Sequence, residues 1–401
     1  MVKTVFYILF FSLFFFPELY PQWQWKNRLP LIKRLPMIYG FQFVIIIILL
    51  FTSCSNEITP PPINGHPIDT LKFLDFRGYL ALDMEYEDPF LYVCAGPRGV
   101  WKKNISANSD WQYLGLEDTS FGNIANRGAL NIDVSDNHLL VTYSGPNDTC
   151  RPDLCVGIWG STDYGNTWFR SDSGMPESIV DTFEYNTIHD IERSPFNPNN
   201  VFSLKGIAIY VSTNNGNSWT LYGLRGFFSN KDNVRWNPFK ENELWIFGES
   251  SLFVPYLSLS RTGGTSFELS VDFTQLGFPS SGNVSDVAFD KESSDIIYVI
   301  INRNLIKSID GGFNWITSGF DIPGQGLVRN IIEDENQAGV IYMGGLNEVF
   351  YSMDGASSIF LLTQLPYETI LSLELDEIKN ILFIGTHDGI YSFNLNTMVN
   401  N

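Results

Sequence analysis

The stretch STDYGNTW, residues 161–168, sets Ser161, Asp163, Gly165, Thr167 and Trp168 at fixed places in an eight-residue window. It recurs. STNNGNSW (212–219) follows 51 residues later with Ser212, Asn214, Gly216 and Trp219 in the same places. SRTGGTSF (260–267) comes after another 48, and SIDGGFNW (308–315), carrying Ser308, Asp310, Gly312 and Trp315, after 48 more. A worn copy, SMDGASSI (352–359), stands 44 residues further on. Self-similarity at a period of roughly 40–50 residues is the signature of a repeat architecture.

The chain before each copy repeats as well. NVSDVAFDKESSDIIYVIINRNLIKS precedes Ile309, and LVRNIIEDENQAGVIYMGGLNEVFYS precedes Met353. Each contains a short apolar run, a polar turn, a second run, a brief loop and a third run ending in the Ser; a fourth run follows the eight-residue window. Short β-branched and aromatic runs bounded by turn residues read as strands. The unit is a four-stranded antiparallel meander, its strands lettered a to d. Units begin near residues 79, 129, 186, 233, 283, 327 and 370, which makes seven. The predicted fold is all-β: a single seven-bladed β-propeller, with six or eight blades as the alternative count and a β-solenoid disfavoured because its repeats are shorter. The last unit ends after three strands, whereas TLKFLDF (70–76) is an orphan apolar stretch upstream of the first. It is expected to pair onto the last blade as the outer strand, closing the ring and protecting a sheet edge.

The repeated window falls between strands c and d, where the chain must reverse. Its Asp or Asn can accept backbone N–H groups one or two residues on, its Gly permits positive φ, and its Trp drops a large apolar side chain into the fold. Asp163, Asn214 and Asp310 therefore read as structural rather than as calcium ligands, since one carboxylate per turn is too few for a calcium site. These windows resemble the Asp-box, or bacterial neuraminidase repeat, of sialidases, sortilin-type propellers, xyloglucanase-type glycosidases and photosystem II assembly factors. The resemblance spans about residues 69–397 and implies the scaffold, not an activity, because one fold hosts unrelated functions.

Ahead of the repeats lie two apolar runs, VFYILFFSLFFF (5–16) and FVIIIILLF (43–51), each short of the ~20 residues a membrane helix needs. The second follows a basic stretch, KNRLPLIKR (26–34), and ends in FTSC. Basic flank, apolar core and small residues before a Cys resemble a bacterial lipoprotein signal with Cys54 as the lipidated residue; an ordinary cleaved signal and an uncleaved anchor are the alternatives. A start placed too early would explain the two competing runs in residues 1–53. Residues 54–68, including SNEITPPPING, read as a Pro-rich tether, and 69–397 as the propeller. The expected location is the cell envelope, as an outer-membrane lipoprotein.

The chain has 401 residues and a formal charge of −19. Without residues 1–53, which hold five basic residues and one acid, 20 basic and 43 acidic residues remain, a formal charge of −23. A field of that sign repels nucleic acid. Cys150 and Cys155 frame the loop TCRPDLC, a spacing that permits a local disulfide in an exported protein; two free thiols are the alternative. The four scattered His and the lack of a CxxC pair argue against zinc, so no metal and no cofactor is expected.

In a meander the a–b and c–d turns share one face and the b–c and d–a loops the other. The ligand face is therefore expected opposite the repeated windows. Aligning the inner strands gives a ring of short polar residues, Asp83, Asp133, Asp190, Asn233, Asp286, Asn330 and Ser372. Either each bonds a backbone group of the next blade, or they form a cation- or sugar-binding collar. LRGFFSN (224–230) adds Arg225, Phe227 and Phe228, which together with the long loops 113–128 and 171–186 suit a sugar or peptide.

Against enzymes, the Arg-Ile-Pro signature implied by sialidase resemblance is absent, and xyloglucanase-type sites use paired acids between two propellers, for which the chain is too short. No catalytic residue stands out. The leading expectation is a non-catalytic envelope module that binds a protein or glycan or scaffolds a complex. The alternative is a single-propeller glycoside hydrolase using paired carboxylates on the face opposite the windows.

Overall fold

The computed structural model describes residues 71–400 apart from 108, 119–126, 145–155, 177–187, 207, 225–232, 250–253, 279–281, 318–321, 324–326 and 367. Cys54, the Cys150–Cys155 loop and Arg225, Phe227 and Phe228 lie outside the described residues.

Seven antiparallel meanders follow one another along the chain, at 83–115, 128–170, 188–224, 233–272, 284–308, 330–364 and 370–394, and form a seven-bladed β-propeller. They are blades 1 to 7. The b strands read as continuous apolar runs because both of their faces are covered. In blade 2, His138–Ser144 is buried at every position; in blade 3 so is Val201–Lys205. Coverage on two faces, rather than one, is what removes the polar alternation expected of a half-exposed strand.

The core is consequently not central but divided among the seams between blades. Trp245, Phe247 and Leu259 of blade 4 pack with Phe289, Ile297 and Val299 of blade 5. Tyr92 and Val100 of blade 1 pack with Leu139 and Val141 of blade 2, and Ile341 and Phe350 of blade 6 with Tyr298 and Ile300 of blade 5. Equivalent clusters fill the remaining seams. Burying apolar surface at about 25 cal/mol per Å² is the main stabilising term, and here it depends on every blade having two neighbours.

That requirement explains the closing strand. Leu71–Phe73 pairs antiparallel with Gly389–Asn394, in the register Leu71↔Phe393, Lys72↔Ser392 and Phe73↔Tyr391, as the outer strand of blade 7. The chain then continues into the seam between blades 7 and 1, where Leu74 and Phe76 pack with Leu91, Val93 and Phe383. Polar clips reinforce the seam: Ser372 Oγ donates to the Ala81 carbonyl at 2.9 Å, and Lys379 Nζ lies 2.5 Å from the Tyr86 hydroxyl.

Blade 5 departs from the regular pattern. Among the described residues its sheet has three strands, Val284–Asp290, Ser293–Ile301 and Asn304–Ser308. The outer position is marked by a single bridge, Lys307↔Ile316, with Lys307 N donating to Ile316 O at 3.1 Å and Ile316 N to Lys307 O at 2.7 Å.

Candidate functional site

The repeated windows form one turn, built the same way each time. Ser161 Oγ donates to Asp163 Oδ1 at 2.8 Å and accepts from Gly165 N at 2.9 Å. Asp163 Oδ1 accepts from Thr167 N at 2.8 Å, and Oδ2 from the Thr167 hydroxyl at 2.7 Å. The carboxylate thus bridges four residues, not the one or two expected from sequence. In blade 3, Asn214 replaces Asp and still accepts from Ser218 N at 2.9 Å, with Gly216 N on Ser212 Oγ at 2.9 Å. In blade 5, Asp310 takes Asn314 N at 2.8 Å, and Gly312 N lies 2.9 Å from Ser308 Oγ. Even the worn copy keeps Ser358 N on Asp354 Oδ1 at 2.8 Å.

The glycine at the centre of each good copy sits in the left-handed region, φ +84° at Gly165 and +89° at Gly312, where a side chain is strained. The Trp reaches further than its own blade. Trp168 Nε1 donates to Leu114 O of blade 1 at 2.8 Å, and Trp219 Nε1 to Ser171 O, just after the last strand of blade 2, at 2.7 Å. Trp315 stands edge-on to Phe273 beside blade 4, centroids 5.6 Å apart. These turns fasten blades 2, 3 and 5 each to the blade before it.

They also share a face with the a–b turns, as meander geometry requires. Tyr164 N donates to Asn137 O at 3.0 Å, Asn215 N to Asn199 O at 2.9 Å, and Gly311 N to Asp295 O at 2.9 Å.

The inner strands enclose a central channel with a cavity of about 730 Å³. Its lining runs from the strand starts, Asp83, Asn131, Asp190 and Asn233, to the a–b turns at Asp88, Glu335 and Glu377. The sequence-derived ring is present here, with one correction. In blade 2 the ring position is Asn131, not Asp133, because the N–H of Ile132, the residue after Asn131, is the one that meets Asp83 across the seam. Asp133, paired with Leu140, sits one tier deeper and does not line the cavity. Its Oδ1 instead takes Arg193 Nε at 2.5 Å, across the seam to blade 3.

The corrected ring alternates: Asp83, Asn131, Asp190, Asn233, Asp286, Asn330, then Ser372. Each Asp spans a seam. Asp83 Oδ2 accepts from Ile132 N at 2.8 Å, Asp190 Oδ2 from Val234 N at 2.9 Å, and Asp286 Oδ2 from Ile331 N at 2.9 Å. The other oxygen of each accepts the N–H of its own next residue, at 2.9–3.0 Å. Asn330 Nδ2 donates to Leu371 O at 3.1 Å. Bulges at 188/190, 284/286 and 370/372 re-aim these positions toward the neighbouring blade.

A second tier two residues on holds Glu85, Glu192, Arg235 and Glu374, and the turn-side tier holds Glu333, Glu335 and Glu377. None of these was singled out from sequence, although a strand period of two places Glu85, Glu192, Arg235 and Glu374 directly beneath the ring. Arg235 is the one cation lining the channel among the described residues. Its Nη2 lies 3.0 Å from Asp286 Oδ1. Burial disfavours its charge, but the carboxylates of Asp286, Glu192 and Glu333 outweigh that and hold its pKa above the ordinary value.

The carboxyls respond in the opposite sense. Burial raises Asp83 to about 6 and Asp190 to about 7. It raises Glu333 and Glu374 to about 8, and lifts Glu85 and Glu192 well above the carboxylate range. Desolvation dominates each of these shifts, with like-charged neighbours adding to it in Glu85. Among the described residues no group of three His, Cys, Asp or Glu is placed to hold a metal ion.

No protein-family model matches the chain, and no curated protein matches its sequence. Solved structures do share its fold. YCF48 from Cyanidioschyzon merolae aligns with TM-score 0.57 at 12% identity, over 81% of this chain and 98% of that one. A structure of YCF48 bound to D1 peptide aligns at 0.58 and 12%, over 83% and 98%. The GH74 xyloglucanase from Xanthomonas campestris aligns at 0.61 and 14%, over 82% of this chain and 54% of the enzyme. Likeness at such identities shows the fold alone, and it joins a peptide-bound protein to a glycoside hydrolase.

Proposed function

We propose that this chain is a non-catalytic binding propeller of the cell envelope, tethered through a lipidated Cys54, that holds a polypeptide ligand in its central channel. The Ser161–Trp168 turn and its copies are Asp-boxes on this reading, and their role is to fasten blades. The observation that carries the proposal is how the mouth carboxylates are used. Asp83, Asp190 and Asp286 each spend one oxygen on a backbone N–H of the next blade and the other on their own chain. A glycosidase needs one acid free to protonate a leaving group and another free to attack or to activate water; these three are committed to the scaffold. YCF48 has been seen with a bound peptide, which supports a polypeptide in a propeller of this shape.

The test is to incubate the full chain in detergent with xyloglucan, sialylated and peptidoglycan-derived oligosaccharides and to assay product release beside binding on peptide and glycan arrays. Peptide retention without product is expected. Product release lost in Glu374→Gln would overturn the proposal in favour of a hydrolase.

A further inference from the structure

Resting on the reading of the channel as a binding site, we propose that its ligand is an extended polycationic organic group, a Lys- or Arg-rich segment whose N–H donors are received by Glu333 and Asn330. Charge comes first. Carboxylates reach the channel from blades 1, 3, 5, 6 and 7, while Arg235, the single lining cation among the described residues, is already paired with Asp286.

A second observation is independent of that excess. Glu333 is 6% exposed and lines the channel, yet its Oε2 accepts no hydrogen bond from the described residues. Three residues earlier on the same strand, Asn330 Nδ2 is satisfied by Leu371 O, but the buried Asn330 Oδ1 accepts nothing from the described residues. Buried polar atoms are ordinarily paired, and leaving an acceptor unpaired costs on the order of 1–3 kcal/mol. Two orphan acceptors on one strand ask for donors. The group that supplies one in a field of this sign is an ammonium or guanidinium.

The arrangement discriminates between kinds of cation. A calcium ion gathers six to eight oxygens onto one point, whereas among the described residues no three acidic or His/Cys side chains converge in that way. Carboxylates distributed over a cavity of about 730 Å³ match charges distributed along a chain. The wall already shows how one such charge is accommodated, with Arg235 Nη2 3.0 Å from Asp286 Oδ1 and Glu192 and Glu333 close enough to raise its pKa. Burial keeps Glu333 protonated up to about 8, with Arg235 of blade 4, Glu335 of its own blade and Asp286 of blade 5 as the charges that face it. A cationic ligand therefore binds best where Glu333 is ionised.

A free polyamine carries the same chemistry, and the experiment separates the two sources. The full chain in detergent is titrated calorimetrically at about pH 8.5 with an octapeptide of Lys and Arg, with spermine, with calcium chloride and with an acidic octapeptide. One-to-one binding of the basic peptide, tighter than spermine and weakened at least tenfold by Glu333→Gln without loss of melting temperature, is the expected result. Spermine binding more tightly than the peptide would make the ligand a free polyamine. Should Glu333→Gln fail to fold, Glu374→Gln is expected to weaken binding in the same way. The proposal is overturned if neither organic cation binds, if calcium binds as tightly as either, or if neither substitution changes the affinity. Those failures leave the non-catalytic reading to the oligosaccharide assay, which involves no cation.

Discussion

At the scale of single residues, Ser161 shows how little chemistry the repeated turn contains. Its hydroxyl is fully buried, gives its proton to Asp163 and takes N–H groups from Asp163 and Gly165. Removing it strands those groups, so Ser161→Ala should lower stability by about 1–3 kcal/mol, read as a fall in melting temperature with ligand binding intact. Gly165→Ala should cost a comparable amount, because φ is +84° and a Cβ would stand 2.7 Å from Leu114 Cδ1. Asp286 is a different case. It holds Ile331 N across the seam, accepts from Val287 N and pairs with the part-buried Arg235, so its removal strands three donors, each costing about 1–3 kcal/mol. Asp286→Ala should therefore destabilise more than Ser161→Ala in chemical denaturation; an equal or smaller effect would mean that the ring does not clamp the blades.

At the scale of elements, the closing strand is the critical piece. Deleting residues 69–78 removes Leu71–Phe73 from the edge of blade 7 and Leu74 and Phe76 from the seam with blade 1. The expected outcome is a large drop in melting temperature of the whole domain, and an unchanged value would count against closure. This element was legible in the sequence, because seven apolar quartets minus one strand leave TLKFLDF with one place to go. Asp133 was not correctly placed. In GALNIDVS an acid stands two positions after the ring residue, so a period-two alignment admits either Asn131 or Asp133, and the seam bond from Ile132 N to Asp83 Oδ2 is what separates them. Glu333 escaped for a related reason. It lies three residues after Asn330, an odd offset that strand periodicity assigns to the opposite face, yet it lines the channel. The turn windows close on themselves through Ser161 and Asp163, but their reach across the seam through Trp168 and Trp219 depends on contacts between blades that no single repeat encodes.

At the scale of the whole molecule, the channel links stability to pH. Asp83, Asp190, Glu333 and Glu374 have folded-state pKa values of about 6, 7, 8 and 8, raised chiefly by burial above the ordinary carboxylate range. A group whose pKa is higher folded than unfolded contributes stability that is complete below its unfolded value, about 4, and lost as pH rises through the folded value. The propeller should therefore melt several degrees higher at about pH 5.5 than at about pH 8.5, with Glu333→Gln flattening the difference. A melting temperature that rises over this interval would contradict the burial of these groups.

The central claim is a division of labour: turns on one face fasten the blades, and the acidic channel binds. One paired measurement separates the two. Melting temperature and affinity for the basic octapeptide are determined for Ser161→Ala and for Glu333→Gln in the full chain. The account predicts that Ser161→Ala lowers the melting temperature and leaves affinity unchanged, while Glu333→Gln lowers affinity at least tenfold without loss of melting temperature. The reverse pattern, with binding lost at Ser161 and kept at Glu333, would contradict it.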